Sequence, residues 1–494
     1  MKLSKLFVNL KNYKVIGNKN INIQNLSNSS KQKAQNTAFF CIDGTKTNGI
    51  IYLNEAIKNG VICAILSLKY HNSLQINQNI TYVFVDDVRK AMAVMSANFY
   101  NNPQNKLKVI GITGTNGKTS CSYIIANLLK GFGKKVGVIG TSGIFIDSQK
   151  FEANMTTPDS IELFEIFSKM VNAKCEYCVM EVSAHAIYYK KIYGIKFAVK
   201  ALTNVKSDHL DFFKTWQNYA NVKQSFFKSR DKCVLNIDDK IGEKIAKKCK
   251  KTLNFGKKYA IFSIFNKKTA IGSTTFCVKY KDNKYIIKTN LTGSFNIYNL
   301  SLSICVAMQL GFKICDILPI VKTLNCVSGR LDLVYQNKNF NIIIDYAHTF
   351  DSLKNLLRTV KNISTNNNII VFGCPGERDT QKRFLMGKLA GMFCDVVFFT
   401  SDNPASENPL RIIFEMEQGF LSIQKRYKTL PKFYVIEKRT KAIKKAIILA
   451  KKLKSYNVLI VGKGTEKYQI IGDKKIAYSD YDAVNNILCK MNFK

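Results

Sequence analysis

The stretch that most constrains the fold is a glycine-rich turn set between a strand-length apolar run and a helical pattern. The run is LKVIGI at 107–112, the turn is Gly114-Thr115-Asn116-Gly117-Lys118-Thr119, and SCSYIIANLLKGF follows at 120–132. Glycines let backbone N–H groups curl round oxygens, and the N-terminus of the next helix adds positive potential. In such a phosphate loop Gly114, Thr115, Asn116 and Gly117 would wrap the phosphates of ATP. Lys118 would reach the β- and γ-phosphates, and the Thr119 hydroxyl would hold Mg²⁺. The strict pattern asks for glycine at position 112, where the chain has Ile112. The competing reading, a tight turn with a surface lysine, does not account for a strand on one flank and a helix on the other.

Further buried-strand candidates are VGVIGT at 136–141, EYCVMEVS at 176–183 and AVKALTNV at 198–205. Helical patterns separate them, which predicts a mostly parallel sheet. The lysine-rich stretch 240–290 predicts edge strands and turns, and 296–312 reads as a helix. Beyond Ser328, the runs in FNIIIDYAH, NNIIVFGCPGERD, CDVVFFTSDNPASENP, KFYVIEKR and YNVLIVGKG each lead into a loop rich in Gly, Asp, Asn or His. In open α/β sheets the carboxyl ends of strands carry the site. Before the phosphate loop, short mixed segments and a helix at 90–100 are broken by Asn101-Asn102-Pro103. The expectation is an α/β chain of three domains. They are a small N-terminal α/β domain (1–103), a central P-loop ATPase-like parallel sheet (104–327) and a C-terminal Rossmann-like, doubly wound domain (328–494).

Composition narrows the function. Lys and Arg total 75 against 34 Asp and Glu, a net charge of +41, yet only nine residues are Arg and the lysines run along the whole chain. A dedicated nucleic-acid face would be a clustered stripe, so no specific nucleic acid is expected, only a general attraction for anions. No run is long and apolar enough for a signal-peptide core or a membrane span. The single CxxC, Cys175 and Cys178, lacks the second pair that zinc would need. Reduced cysteines in a cytoplasmic protein are expected. Of the four histidines, His71 lies in a polar stretch, whereas His185, His209 and His348 each follow a predicted strand beside acidic or hydroxyl residues. Glu181 and His209 are candidate ligands for a hard metal ion near the phosphates.

These features come together in a resemblance. GITGTNGKTS, NMTTPD, MEVSAHA, LTNVKSDHLDFF, YANVK, LTGSFNIYNL, SGRLD, DYAHTFDSL, VFGCPGERDTQKR, SDNPASENP and GKGTEKYQI resemble, in order, the motifs of the Mur ligase family. The likeness is to those members that add the third amino acid of the peptidoglycan stem peptide. It implies the three-domain Mur ligase fold, ATP and Mg²⁺. Lys118 and Thr119 resemble the phosphate and Mg²⁺ contacts, and Glu181 and His209 resemble metal ligands. Lys223 stands where the family carries a carbamylated lysine, whose anion would help hold Mg²⁺; the bare residues read as a solvated helix lysine. Lys118, Lys223 and His209 are thereby implied in catalysis. Asn296 resembles an adenine contact, Arg330 and Asp345 resemble nucleotide contacts, and His348 stands in the same loop. Thr156, Thr157, Ser183 and Lys191 resemble contacts to the UDP-sugar-peptide. Lys191 sits where relatives carry Arg, so a bidentate fork becomes a point charge. Ser29 matches the serine of a uridine motif, although Asn28 and Ser30 replace its usual Asp and Arg.

The implied partners are UDP-N-acetylmuramoyl-L-alanyl-D-glutamate and a diamino acid, handled by a monomer. ATP would convert the D-Glu γ-carboxylate into an acyl phosphate, which an amine then attacks. The sequence does not name the group that takes the amine's proton. Diaminopimelate-adding relatives read DNPR where this chain has Asp402-Asn403-Pro404-Ala405, and Ala405 cannot grip a distal carboxylate. Losing such an Arg would cost several kcal/mol unless another cation replaced it. Glu466 resembles the residue that holds the distal amino group, and Gly462 belongs to the same GKG motif. Arg383 resembles the contact to a carboxylate of the added amino acid. On these residues L-lysine is the leading expectation and meso-diaminopimelate the alternative, with ornithine also open. A folylpolyglutamate synthase shares the ATP loop but not the first domain or the DNP and GKG strings.

Overall fold

The computed structural model describes residues 1–44, 47–324, 328–425 and 430–491. The expected domain limit at 327 and the last three residues lie outside these ranges. Apolar runs with little alternation form strands covered on both faces, as parallel sheets require. Five make the first sheet: β1 (Tyr13–Ile16), β2 (Asn25–Ser27), β3 (Thr37–Phe40), β4 (Val61–Ser67) and β5 (Thr81–Val85), in the order β1-β5-β4-β3-β2. Only β1 runs antiparallel to its neighbour. The helix Val88–Phe99 packs Met92 and Met95 against this sheet. Asp87 starts the helix by accepting from the amides of Arg89 and Lys90.

The second sheet is built on β6 (Lys108–Thr113). It includes β7 (Val136–Gly140), β8 (Gly143–Ile146), β9 (Gln149–Phe151), β10 (Tyr177–Glu181), β11 (Phe197–Leu202), β12 (Lys232–Asn236) and β13 (Lys251–Gly256), in the order β13-β12-β11-β6-β10-β7-β8-β9. From β13 to β7 every pair is parallel, so β6, β10 and β11 deliver their carboxyl ends to one edge. The strands β14 (Phe262–Ala270), β15 (Ser273–Tyr280) and β16 (Asn283–Thr289) occupy the lysine-rich stretch, with a short helix at Lys240–Ala246. Along β14–β16 the chain passes between two compact units. One comprises Met1–Ile264, Lys279–Asn283 and Tyr298–Ile320; the other comprises Phe265–Val278, Lys284–Ile297 and Val321–Lys494.

The third sheet holds β17 (Asp332–Gln336), β18 (Phe340–Asp345), β19 (Asn367–Phe372), β20 (Val396–Phe399), β21 (Lys432–Val435) and β22 (Tyr456–Val461), in the order β17-β18-β22-β19-β20-β21. Only β17 is antiparallel to its neighbour. Helices cover both faces. Leu353, Leu357, Met386 and Met416 fill one side, while Ile443, Ile447, Val484 and Leu488 fill the other. This is the doubly wound arrangement expected. Asp345 pairs with Val461, Val461 with Phe372, and Phe372 with Phe399. The loops after β18, β22, β19 and β20 therefore start side by side. A hairpin of β23 (Tyr468–Ile471) and β24 (Lys474–Ala477) follows.

Candidate active site

The phosphate loop leaves β6 and enters the helix Lys118–Gly131 at Gly117, which has φ +89°. Gly114 has φ +145°, and a Cβ there would lie 1.9 Å from Thr203 Oγ1. Only glycine fits either position. The loop is pinned from outside by Asn204, which follows β11. Asn204 Oδ1 accepts from the Asn116 amide at 3.1 Å, its Nδ2 donates to the Asn116 carbonyl at 3.0 Å, and its carbonyl accepts from the Thr115 amide at 2.8 Å. Asn204, which sequence reasoning missed, holds the loop in shape; its signal was its place at a strand's carboxyl end, in LTNVK. Lys118 Nζ folds over the loop, 2.9 Å from the carbonyls of Gly114 and Thr115. Thr119 is half-buried at the helix start.

Lys223 comes to the same loop from the helix Trp216–Ser225. It is 1% exposed, and its Nζ donates to the Gly114 carbonyl at 3.0 Å. Burial, reinforced by the neighbouring Lys118 charge, holds this amine well below the usual lysine range. The expected solvated helix lysine is therefore replaced by an interior one. Tyr219 connects the group: its hydroxyl is 3.1 Å from Thr115 Oγ1, and its ring lies 4.7 Å from Lys223 Nζ and 6.2 Å from the His209 ring. His209 itself is exposed, sits at φ +52° and meets the His185 ring at 5.0 Å.

Glu181 ends β10, in register with Ile112 next to the loop. It is 1% exposed, and its carboxylate accepts from the Thr141 amide at 3.0 Å and hydroxyl at 3.2 Å. Thr141 Oγ1 is 3.0 Å from Thr156 Oγ1, and Thr157 Oγ1 donates to the Glu181 carbonyl. Ser183 caps the helix Ala184–Tyr188 and lies within 3.4 Å of Thr157 Oγ1. These predicted residues thus form one connected run. Lys191 is nearly buried and pairs with Asp159 at 2.9 Å, so its charge is already matched. Glu181 and Thr119 offer the oxygen ligands that Mg²⁺ prefers. A free Lys223 amine does not fit a metal site, whereas its carbamate would. No group of three or more His, Cys, Asp or Glu suited to a metal occurs among the described residues. In the first sheet, Ser29 is exposed, with its amide donating to Ser27 Oγ at 3.0 Å.

In the second unit, the four adjacent loops enclose a cavity of about 650 Å³. His348, Asp402, Asn403, Gly462 and Glu466 line it, as do Arg378 and Lys382. Lys463, wholly buried, donates to Asn403 Oδ1 at 2.9 Å and Glu466 Oε2 at 2.8 Å. Asp402 lies behind them; burial raises its pKa while Arg439 and Lys463 oppose the rise. Gly462 is required here, since it has φ +116° and a Cβ would come within 2.6 Å of Asp402 Oδ2. Ala405 sits at φ +51° and pairs with Ile471 of the hairpin. Asp345 takes the amides of Leu331 at 2.6 Å and Ala347 at 2.8 Å, fixing the loops on both sides of the sheet edge. Arg330 lies over the Tyr346 ring at 5.2 Å, and Asn296 Nδ2 donates to the Thr292 carbonyl.

Arg383 needs correction. Its guanidinium is 0% exposed and is committed to Glu407 at 2.9 Å, Glu415 at 3.0 Å and the Pro375 carbonyl at 3.3 Å. It cannot reach an amino acid in the cavity. The arginine that lines the cavity is Arg378, five residues earlier in the GERD string.

Comparison with known proteins agrees with this architecture. The Mur ligase middle domain matches residues 112–307, and the Mur ligase glutamate ligase domain matches 329–464. The UDP-N-acetylmuramoyl-L-alanyl-D-glutamate--2,6-diaminopimelate ligase 1 of Clostridium acetobutylicum is 39% identical, with 99% of each chain covered. A solved UDP-N-acetylmuramoyl-L-alanyl-D-glutamate--2,6-diaminopimelate ligase is 25% identical with a TM-score of 0.69, covering 96% of each chain. The MurF ligase of Thermotoga maritima, solved with ADP, shares the fold at a TM-score of 0.59 and 19% identity, covering 94% of this chain and 97% of its own. With a phosphate loop on one sheet, a lined cavity on another and full-length identity to such a ligase, this chain belongs to the Mur ligase family of three-domain, ATP-dependent ligases.

Proposed function

We propose that the chain adds meso-2,6-diaminopimelate to UDP-N-acetylmuramoyl-L-alanyl-D-glutamate, in peptidoglycan precursor synthesis. The observation that carries this reading is the 39% identity, over 99% of both chains, to a ligase named for those substrates. It favours the alternative over the lysine suggested by Ala405. The cavity supports the same choice. It presents two cations, Arg378 and Lys382, and four carboxylates, Asp351, Asp379, Asp402 and Glu466. The two cations match the two carboxylates of diaminopimelate, of which lysine has only one.

In this reading Gly114 to Gly117 and Lys118 hold the phosphates of ATP, and Lys118 screens the charge passed to the D-Glu γ-carboxylate. Thr119, Glu181, His209 and Lys223 as a carbamate would hold Mg²⁺, which would supply positive charge to offset that of the phosphates. Burial favours the neutral Lys223 amine, the form that can take up CO₂. Thr156, Thr157, Ser183, Lys191 and Ser29 serve the UDP-linked substrate; Asn296, Arg330 and Asp345 serve the nucleotide. The functional parts remain 1–103, 104–327 and 328–494, and the enzyme works as a cytoplasmic monomer. The test is phosphate release from ATP with Mg²⁺ and the UDP-dipeptide, offering diaminopimelate, L-lysine or L-ornithine. Release is expected to require diaminopimelate. Release that follows lysine instead would overturn the amino-acid assignment and keep the ligase.

A further inference from the structure

We propose that His348 is the catalytic base that accepts the proton of the attacking amine. The inference rests on the ligase reading above and names the one group that reading leaves unassigned. His348 Nδ1 is 2.9 Å from the Tyr346 carbonyl oxygen. A carbonyl only accepts, so Nδ1 must carry the proton and Nε2 the lone pair. No hydrogen bond among the described residues engages Nε2. The loop cannot easily change this tautomer. The Ala347 amide is held by Asp345, the His348 carbonyl accepts from Lys382 Nζ at 3.3 Å, and the ring packs edge-on against Tyr346 at 4.7 Å. His348 is half-buried and lines the cavity beside Asp402, Asn403 and Glu466.

Burial, Lys382 and Arg330 push its pKa below the ordinary imidazole range, although the hydrogen bond to the Tyr346 carbonyl and the charge of Asp402 pull the other way. Asp351, Asp379 and Arg378 also line the cavity. Among the other lining carboxylates, Glu466 Oε2 takes hydrogen bonds from Lys463 and Asn403, Asp379 Oδ1 takes the Gln381 amide, and Asp402 is buried within the field of Arg439 and Lys463. In the step itself, the amine lone pair forms the C–N bond to the acyl carbon. The C–O bond to phosphate breaks, and phosphate leaves with the bonding pair. Before that attack His348 Nε2 takes one proton from the amino acid's ammonium group, which frees the lone pair, and passes it to water; the N–H proton left surplus after the C–N bond forms departs on the phosphate.

His348→Asn keeps a donor at the Nδ1 position for the Tyr346 carbonyl but removes the base. Its amide formation with diaminopimelate should fall about 100-fold or more. Hydroxamate formation should stay within a few fold when hydroxylamine, already neutral at neutral pH, replaces the amino acid. In Lys382→Met the acid limb of kcat against pH should move upward, because a cation that depresses the imidazole is gone. Equal loss of amide and hydroxamate in His348→Asn, unchanged amide formation, or an unmoved acid limb in Lys382→Met would each overturn the proposal. If the unaltered enzyme forms neither product from this UDP-dipeptide, the substrate reading has failed instead.

Discussion

Lys223 shows how far a single residue can depart from its local pattern. In YANVKQSFF it sits on a helix with a polar average, and nothing nearby predicts that it is buried. The tertiary structure turns it under the phosphate loop, beside Lys118 and away from water. An amine held there costs folding energy unless function needs it. Lys223→Met should therefore raise thermal stability by roughly 1 kcal/mol while abolishing phosphate release. A melting curve and a phosphate assay on the same preparation check both; a destabilised variant would mean the amine's bond to Gly114 outweighs its burial. Arg378 and Arg383 make a similar point. They are five residues apart, one in a loop and one in a helix, and both are arginines near a strand end. Which one lines the cavity depends on helix phase and on two glutamates 24 and 32 residues away from Arg383.

At the scale of elements, the cavity wall depends on two helices in close contact, Gln381–Phe393 and Pro409–Leu421. A Cβ on Gly387 would lie 1.8 Å from the Met416 carbonyl oxygen, and one on Gly419 would lie 1.9 Å from that of Phe384. On an isolated helix, Gly→Ala stabilises by about 1 kcal/mol. Here the sign should reverse. Gly419→Ala should destabilise by about 1–3 kcal/mol, because backbone, not a flexible side-chain end, must move. It should also raise KM for the amino acid more than KM for ATP, since this helix pair carries Lys382 and the Arg383–Glu415 bridge. A higher melting temperature in Gly419→Ala would show that the helices separate without strain. The strands and their order of appearance were legible in the sequence, because apolar runs ending in Gly, Asp or His loops are local patterns. This close helix contact was not, because a glycine in a helix reads only as a weak helix former.

For the whole molecule, the charge of +41 is a field and not a site. Lysines are spread over all parts of the chain, and no helix among the described residues is long and apolar enough to cross a membrane. Binding to RNA is expected in low salt and should be lost near about 0.15 M, where screening acts within about 8 Å. A filter-binding titration across salt checks this, and tight, sequence-selective binding at the higher salt would contradict it.

By itself the sequence determined the α/β class, the phosphate loop after β6, the Rossmann-like last domain and the family. Each of these rests on residues close together in the chain, where period, glycine spacing and strand-end chemistry act directly. The tertiary structure alone decided that Lys223 is interior, that Arg383 is structural while Arg378 faces the cavity, and that His348 carries its proton on Nδ1. Those outcomes depend on burial and on partners brought together by folding, which no short window of sequence contains.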